Sequence, residues 1–166
     1  MLKLADLSFI DRSENILLLG PAGVGKTHLV ISLGIKACMA RYRVLFQGAD
    51  EVGGYLYASS VDGSIGAKLD TLSRLHLLII DELGYLRMDP KRVNLFLQLV
   101  SKRYEGGSII LTSNRAFDEW GEIFGDEVIA AAIIDRLVHH SHIFHISGRS
   151  FRVKDKLDKN HDKEAS

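Results

Sequence analysis

Short apolar runs recur along the chain at Ile16 to Leu19, Val44 to Phe46, Leu77 to Ile80, Ser108 to Thr112 and His142 to Ile146, with amphipathic stretches between them. Runs of this length suit strands buried on both faces. Their alternation with helical patterns predicts an α/β fold, a five-stranded and mainly parallel sheet covered by helices on either side. The spacing predicts helices over Lys26 to Arg41, Ala49 to Ala58, Gly66 to Leu75, Pro90 to Tyr104 and Asp126 to His139. In the fourth, Val93, Phe96, Leu97 and Val100 recur at helical intervals as a core-facing stripe. Pro90 takes the first helical position, where a missing N–H costs nothing. Gly53-Gly54, Asp62-Gly63 and Gly106-Gly107 read as turns. From Lys154 to Ser166 charges alternate around one large apolar residue, which predicts a frayed tail over 154–166 behind a single core domain of residues 1–153.

Composition adds limits. The 166 residues, 46% of them hydrophobic, suffice for one domain with a substantial core. A formal net charge of zero means that nucleic acid would have to be held by a local patch and not by bulk charge. The single cysteine, Cys38, excludes an internal disulfide, fits a reducing compartment and reads as a small core residue of the first predicted helix. No apolar stretch approaches the ~18 to 20 residues of a membrane span, and the N-terminus has no basic-then-apolar signal pattern, so the expected location is the cytoplasm.

Directly behind the first apolar run stands Gly20-Pro21-Ala22-Gly23-Val24-Gly25-Lys26-Thr27, a complete match to G-x-x-x-x-G-K-[ST] between a predicted strand and a predicted helix. The glycines let backbone N–H groups approach phosphates, and the helix N-terminus adds the positive end of its dipole. Lys26 is then placed to reach the β- and γ-phosphates of a nucleoside triphosphate, and the Thr27 hydroxyl to help hold Mg²⁺.

The third run ends in two adjacent carboxylates, Asp81 and Glu82. Neighbours on a strand point to opposite faces, so the two acids need not share a role: Asp81 is the natural Mg²⁺ partner through water, and Glu82 is placed to polarise or deprotonate an attacking water. Asn114 closes the fourth run. In an open parallel sheet the ligand crevice lies at the carboxyl ends of the strands, so Gly20, Asp81 and Asn114 can meet there. Two roles fit Asn114, orienting a water beside the γ-phosphate or capping the turn that follows. Two also fit Arg136 near the end of the last helix, a surface ion pair or a reach into a neighbouring subunit's site. His139, His140, His142 and His145 look like a metal cluster, but no cysteine or acidic residue stands at a supporting interval, and they read as structural histidines. A nucleotide kinase would add an arginine-rich lid and an acceptor pocket, and the chain displays neither.

The wider pattern is more specific. Asn15 to Gly20 leads into Gly25-Lys26-Thr27-His28-Leu29, followed by Leu78-Ile79-Ile80-Asp81-Glu82-Leu83-Gly84-Tyr85-Leu86, Thr112-Ser113-Asn114 and Glu119-Trp120-Gly121-Glu122-Ile123-Phe124-Gly125-Asp126. This closely resembles the IstB-like transposition helper ATPases, relatives of the DnaC-type replicative helicase loaders in the AAA+ superfamily, from about Leu7 to Lys154. The resemblance implies the AAA+ form of the P-loop NTPase fold and an ATP- and Mg²⁺-dependent homo-oligomer that assembles on DNA and assists a transposase in choosing its target. The alternatives are a helicase loader, with a replicative helicase as partner, or a nucleotide-binding remnant. By motif, Gly20 to Thr27 correspond to Walker A, Asp81 and Glu82 to Walker B, and Asn114 to sensor 1. Arg136 falls where the family carries an arginine finger acting in trans, and Arg152, with Arg149 as runner-up, where it carries the nucleotide-binding sensor 2 arginine. Full-length members carry a helical region ahead of the ATPase core. About fifteen residues precede the first strand here, so the resemblance implies a truncated form, a fragment or a degenerate copy.

Overall fold

In the computed structural model, which describes residues 4–148, five strands form one wholly parallel sheet in the order β2-β3-β4-β1-β5. They are β1 (Asn15–Leu19), β2 (Val44–Gly48), β3 (Leu77–Leu83), β4 (Ser108–Ser113) and β5 (Ser141–His145). Among the described residues seven α-helices accompany them: α1 (Ser8–Asp11) ahead of β1, and α2 (Lys26–Met39), α3 (Ala49–Val61), α4 (Ile65–Ser73), α5 (Pro90–Arg103), α6 (Trp120–Phe124) and α7 (Glu127–Val138) between the strands. The apolar runs therefore locate all five strands. The short helices α1 and α6 carry too few residues to declare a 3.6 period, and the pattern misses both. Arg149, Arg152 and the charged tail lie outside the described residues.

Side chains alternate across the sheet and build two cores. Ile16, Leu18, Leu77, Ile79 and Ile110 face α1 and α2, meeting Phe9, Ile10, Val30, Leu33 and Ala37. Leu17, Leu19, Leu78, Ile80, Ile109 and Leu111 face the other way, onto Val52, Leu56, Phe96, Leu99, Val100, Ile133 and Leu137. In α5 the buried stripe is Val93, Leu95, Phe96, Leu99 and Val100, with Leu97 only half-buried at its edge. Cys38, expected in the core, is exposed on α2 one position past buried Ala37.

Polar devices fix the ends of these elements. Asp89 caps α5 by accepting from the N–H groups of Lys91 and Arg92, and Asp126, expected as the first residue of its helix, is the cap of α7, accepting from Val128 and Ile129. Buried Arg103, at the end of α5, donates to the carbonyls of Leu72 in the last turn of α4, of Leu75 just past it and of Ser108 at the start of β4. One guanidinium thus ties three elements together from inside. Burial pushes its pKa down to about 10.

Candidate functional site

The strand order places β4 between β1 and β3, so the loop after β1 and the acids of β3 flank the end of β4 at the sheet's carboxyl edge. Gly20 leaves β1 with φ +152°, and a Cβ there would lie 2.0 Å from the Ile146 carbonyl oxygen, so only glycine fits. The loop from Gly20 to Gly25 then turns into α2. Lys26 Nζ donates to the carbonyls of Gly20 (2.5 Å) and Pro21 (2.7 Å), which holds the ammonium inside the curl of the loop. Burial draws its pKa below the ordinary lysine value, while the carboxylates of Asp81 and Glu82 act in the opposite sense.

Asp81 is buried, and both its oxygens are occupied. Thr27 Oγ1 donates to Oδ2 at 2.9 Å and Thr112 Oγ1 donates to Oδ1. Glu82 is exposed, with a left-handed backbone at φ +63°, where the register between β3 and β4 slips. Asn114 Oδ1 is buried without a hydrogen-bond partner. Gly84 makes room for it, since a Cβ at that glycine would come within 2.7 Å of the amide oxygen. The turn after β4 is held by other groups, the Arg115 N–H on Ser113 Oγ and the Ala116 N–H on Glu119, so the Asn114 side chain is not spent on capping it.

These groups line one pocket of about 550 Å³: Gly23, Lys26 and Thr27 from the loop and α2, Glu82 and Tyr85 from β3 and the segment after it, Thr112 from β4 and Asn114 just past its end. Arg136 is not among its lining residues. It lies half-buried in the last turn of α7 and donates to its own helix at the Ala132 carbonyl, 2.8 Å away. The residues fit a phosphate chain with a bound Mg²⁺. A lysine ammonium, a threonine hydroxyl aimed at a carboxylate and the Asn114 side chain converge on one cavity, the Asn114 amide oxygen itself lying buried against Gly84.

Thr112 and Tyr85 stand within the quoted motif segments, but the sequence assigns neither of them a role in the site. Thr112 has a legible signal, because it stands two residues before Asn114 and so shares its face of β4. Tyr85 also opens a second cleft of about 600 Å³, lined with Arg87, Arg115, Glu122 and Asp126, where the two family-specific segments meet. Elsewhere, the expectation that no acid supports the histidines needs correcting. Glu105, just past α5, brings its carboxylate 3.9 Å from His139 Nδ1 and 3.5 Å from His140 Nε2 at an exposed site, with the Tyr104 hydroxyl already on His139. His142 pairs instead with Glu14 at 2.8 Å.

A parallel sheet in this order, with a phosphate loop after β1 and paired carboxylates at the end of β3, defines a P-loop NTPase of the AAA+ kind. Its fold matches that of DnaI, with a TM-score of 0.73 at 22% identity over 87% of this chain and 82% of that one. It also matches DnaA from Aquifex aeolicus, with a TM-score of 0.71 at 21% identity over 98% of this chain and 49% of that one. The family model described as IstB-like ATP binding protein matches residues 1–159, and the chain belongs to that family. It is 51% identical over 154 residues to the insertion sequence IS21 putative ATP-binding protein of Pseudomonas aeruginosa, covering 93% of this chain and 58% of that protein. With the corresponding IS5376 protein of Geobacillus stearothermophilus it shares 48% identity, covering 93% of this chain and 61% of that protein. The chain thus spans less than two thirds of the length of these relatives.

Proposed function

We propose that this chain is the ATP-hydrolysing module of an insertion-sequence helper, which assembles on DNA and assists a transposase in selecting its target. The observation that carries the reading is the single pocket in which Lys26, Thr27, Glu82 and Asn114 converge, with Asp81 buried behind Thr27. The relatives at 51% and 48% identity are insertion-sequence ATP-binding proteins, whereas the helicase-loader likeness lies below 25% identity, which favours transposition over helicase loading.

In this reading the loop amides from Gly23 to Lys26 and the Lys26 ammonium hold the β- and γ-phosphates of ATP. Lys26 exchanges its two carbonyl acceptors for phosphate oxygens. Thr27 and Asp81 would hold Mg²⁺, which when bound supplies a positive charge that offsets the charge developing on the phosphates. Glu82 accepts a proton from the attacking water, and Asn114 orients that water with its side-chain amide. Arg136 serves the neighbouring subunit, so hydrolysis needs a homo-oligomer. Such an assembly works on DNA in the cytoplasm.

The test is Mg²⁺-dependent ATP hydrolysis by the 166-residue chain with and without duplex DNA, alongside gel filtration and capture by the cognate transposase or by a replicative helicase. The expected result is ATP-dependent assembly, turnover that rises with DNA, and retention on the transposase. Absence of ATP binding would overturn the reading, and retention on the helicase alone would transfer the protein to loading.

A further inference from the structure

Between Ile80 and Leu83 the pairing of β3 with β4 slips. Ile80 stands opposite Leu111 and Leu83 opposite Ser113, so Asp81 and Glu82 together face the single residue Thr112. Two residues against one is a β-bulge, which bends its strand and leaves a ladder N–H without its usual carbonyl acceptor. Glu82 adopts a left-handed backbone at φ +63° within the bulge, a conformation strained for a non-glycine residue that persists only where the surroundings hold it.

Thr112 supplies what the bulge removes. Its Oγ1 accepts the Glu82 N–H at 2.9 Å and at the same time donates its own proton to Asp81 Oδ1. The hydroxyl is buried, with both hydrogen-bonding directions used. The other oxygen of Asp81 takes the Thr27 hydroxyl. A single side chain therefore touches the backbone that aims Glu82 and the carboxylate of Asp81.

We infer that Thr112 is the positioning residue of the site, holding Asp81 toward Thr27 and locking the bulge that turns Glu82 into the nucleotide pocket. This rests on the ATPase reading above. Valine retains the branched shape and removes only the hydroxyl, whereas serine keeps the hydroxyl and removes only a methyl group.

Two measurements on the full chain separate this inference from that reading. The first is amide hydrogen exchange at Glu82, which needs no turnover. Exchange should be slow in the wild type and in Thr112→Ser and at least about tenfold faster in Thr112→Val, because the N–H loses its acceptor. The second is ATP hydrolysis with DNA. Thr112→Val should lose about 10- to 100-fold in kcat, with ATP affinity within about threefold of wild type and thermal melting still cooperative, since a small misplacement of the catalytic group costs rate more than binding. Thr112→Ser should recover most of the rate.

Fast exchange at Glu82 in the wild type, or wild-type kcat in Thr112→Val, would overturn the role of Thr112. An equal loss of affinity and rate in both variants would assign the residue to folding and likewise overturn it. A wild-type chain that hydrolyses no ATP sinks the ATPase reading instead, and exchange at Glu82 still decides whether Thr112 holds the bulge.

Discussion

Thr27 Oγ1 donates to Asp81 Oδ2 at 2.9 Å across 54 residues of sequence. The bond joins the first turn of α2 to the end of β3, passing beside the end of β4, which lies between β1 and β3. It brings the hydroxyl and carboxylate expected to serve one Mg²⁺ together before any ligand arrives, so little chain entropy is lost on binding.

Asp81→Asn keeps the size of this group and removes its charge. The Mg²⁺ concentration for half-maximal hydrolysis should then rise about 10- to 100-fold, in line with the loss of a group that orients or holds a metal. Nucleotide affinity without Mg²⁺ should change little. A Mg²⁺ titration of turnover, run beside a Mg²⁺-free binding titration, reads both numbers.

Lys26→Ala should weaken ATP binding by about 100-fold or more, because a charge-assisted contact to phosphate is lost and the neighbouring amides cannot supply a full charge. The wild-type site also carries a pH signature. Burial lowers the Lys26 pKa, so the ammonium loses its proton earlier on the alkaline side than a free lysine does. Affinity should therefore hold near neutral pH and fall as pH rises, with the fall beginning below the ordinary lysine value. Fluorescent-nucleotide titrations across the alkaline range check the direction.

Glu82→Gln removes basicity and keeps the left-handed backbone position of a similar side chain. ATP should bind nearly as in the wild type while single-turnover hydrolysis slows by about 10²- to 10⁴-fold, the usual worth of a general base. Unchanged single-turnover rates would remove Glu82 from the chemistry.

Arg136 does not line the pocket of its own chain. If it acts in trans, Arg136→Ala binds ATP and hydrolyses it about 10³- to 10⁵-fold more slowly, and mixing it with Lys26→Ala restores part of the activity. A mixed interface would pair an intact loop from one subunit with an intact arginine from the next. No rescue, with subunit exchange demonstrated by labelled chains, would assign Arg136 to its own subunit.

Arg103 tests the fold and not the site. Arg103→Met leaves the carbonyls of Leu72, Leu75 and Ser108 without their donor in a buried place, and stability should drop by about 3 kcal/mol in urea unfolding. Arg103→Lys should recover only part, because an ammonium lacks the planar fork that spans both α4 and β4.

The phosphate loop was readable from sequence because its defining residues are contiguous, Gly20 to Thr27, and their spacing encodes the turn directly. The five strands were readable too, since two-sided burial demands near-continuous apolar runs such as Leu77 to Ile80. Other features depend on which strand lies beside which. Thr112 is an ordinary strand residue until β4 is inserted between β1 and β3 and the bulge at Glu82 needs an acceptor. Glu105 joins His139 and His140 only because the end of α5 packs beside the end of α7, contacts spanning 34 and 35 residues that no local interval announces. Cys38 follows the same logic in reverse. Its helix and apolar neighbours suggested burial, but a 3.6-residue period rotates it one position past Ala37 and out of the core. Sequence thus determined the strands and the long helices, through local spacing and burial pattern, and the tertiary structure decided which polar groups share a site, because that depends on strand order and helix packing over long separations.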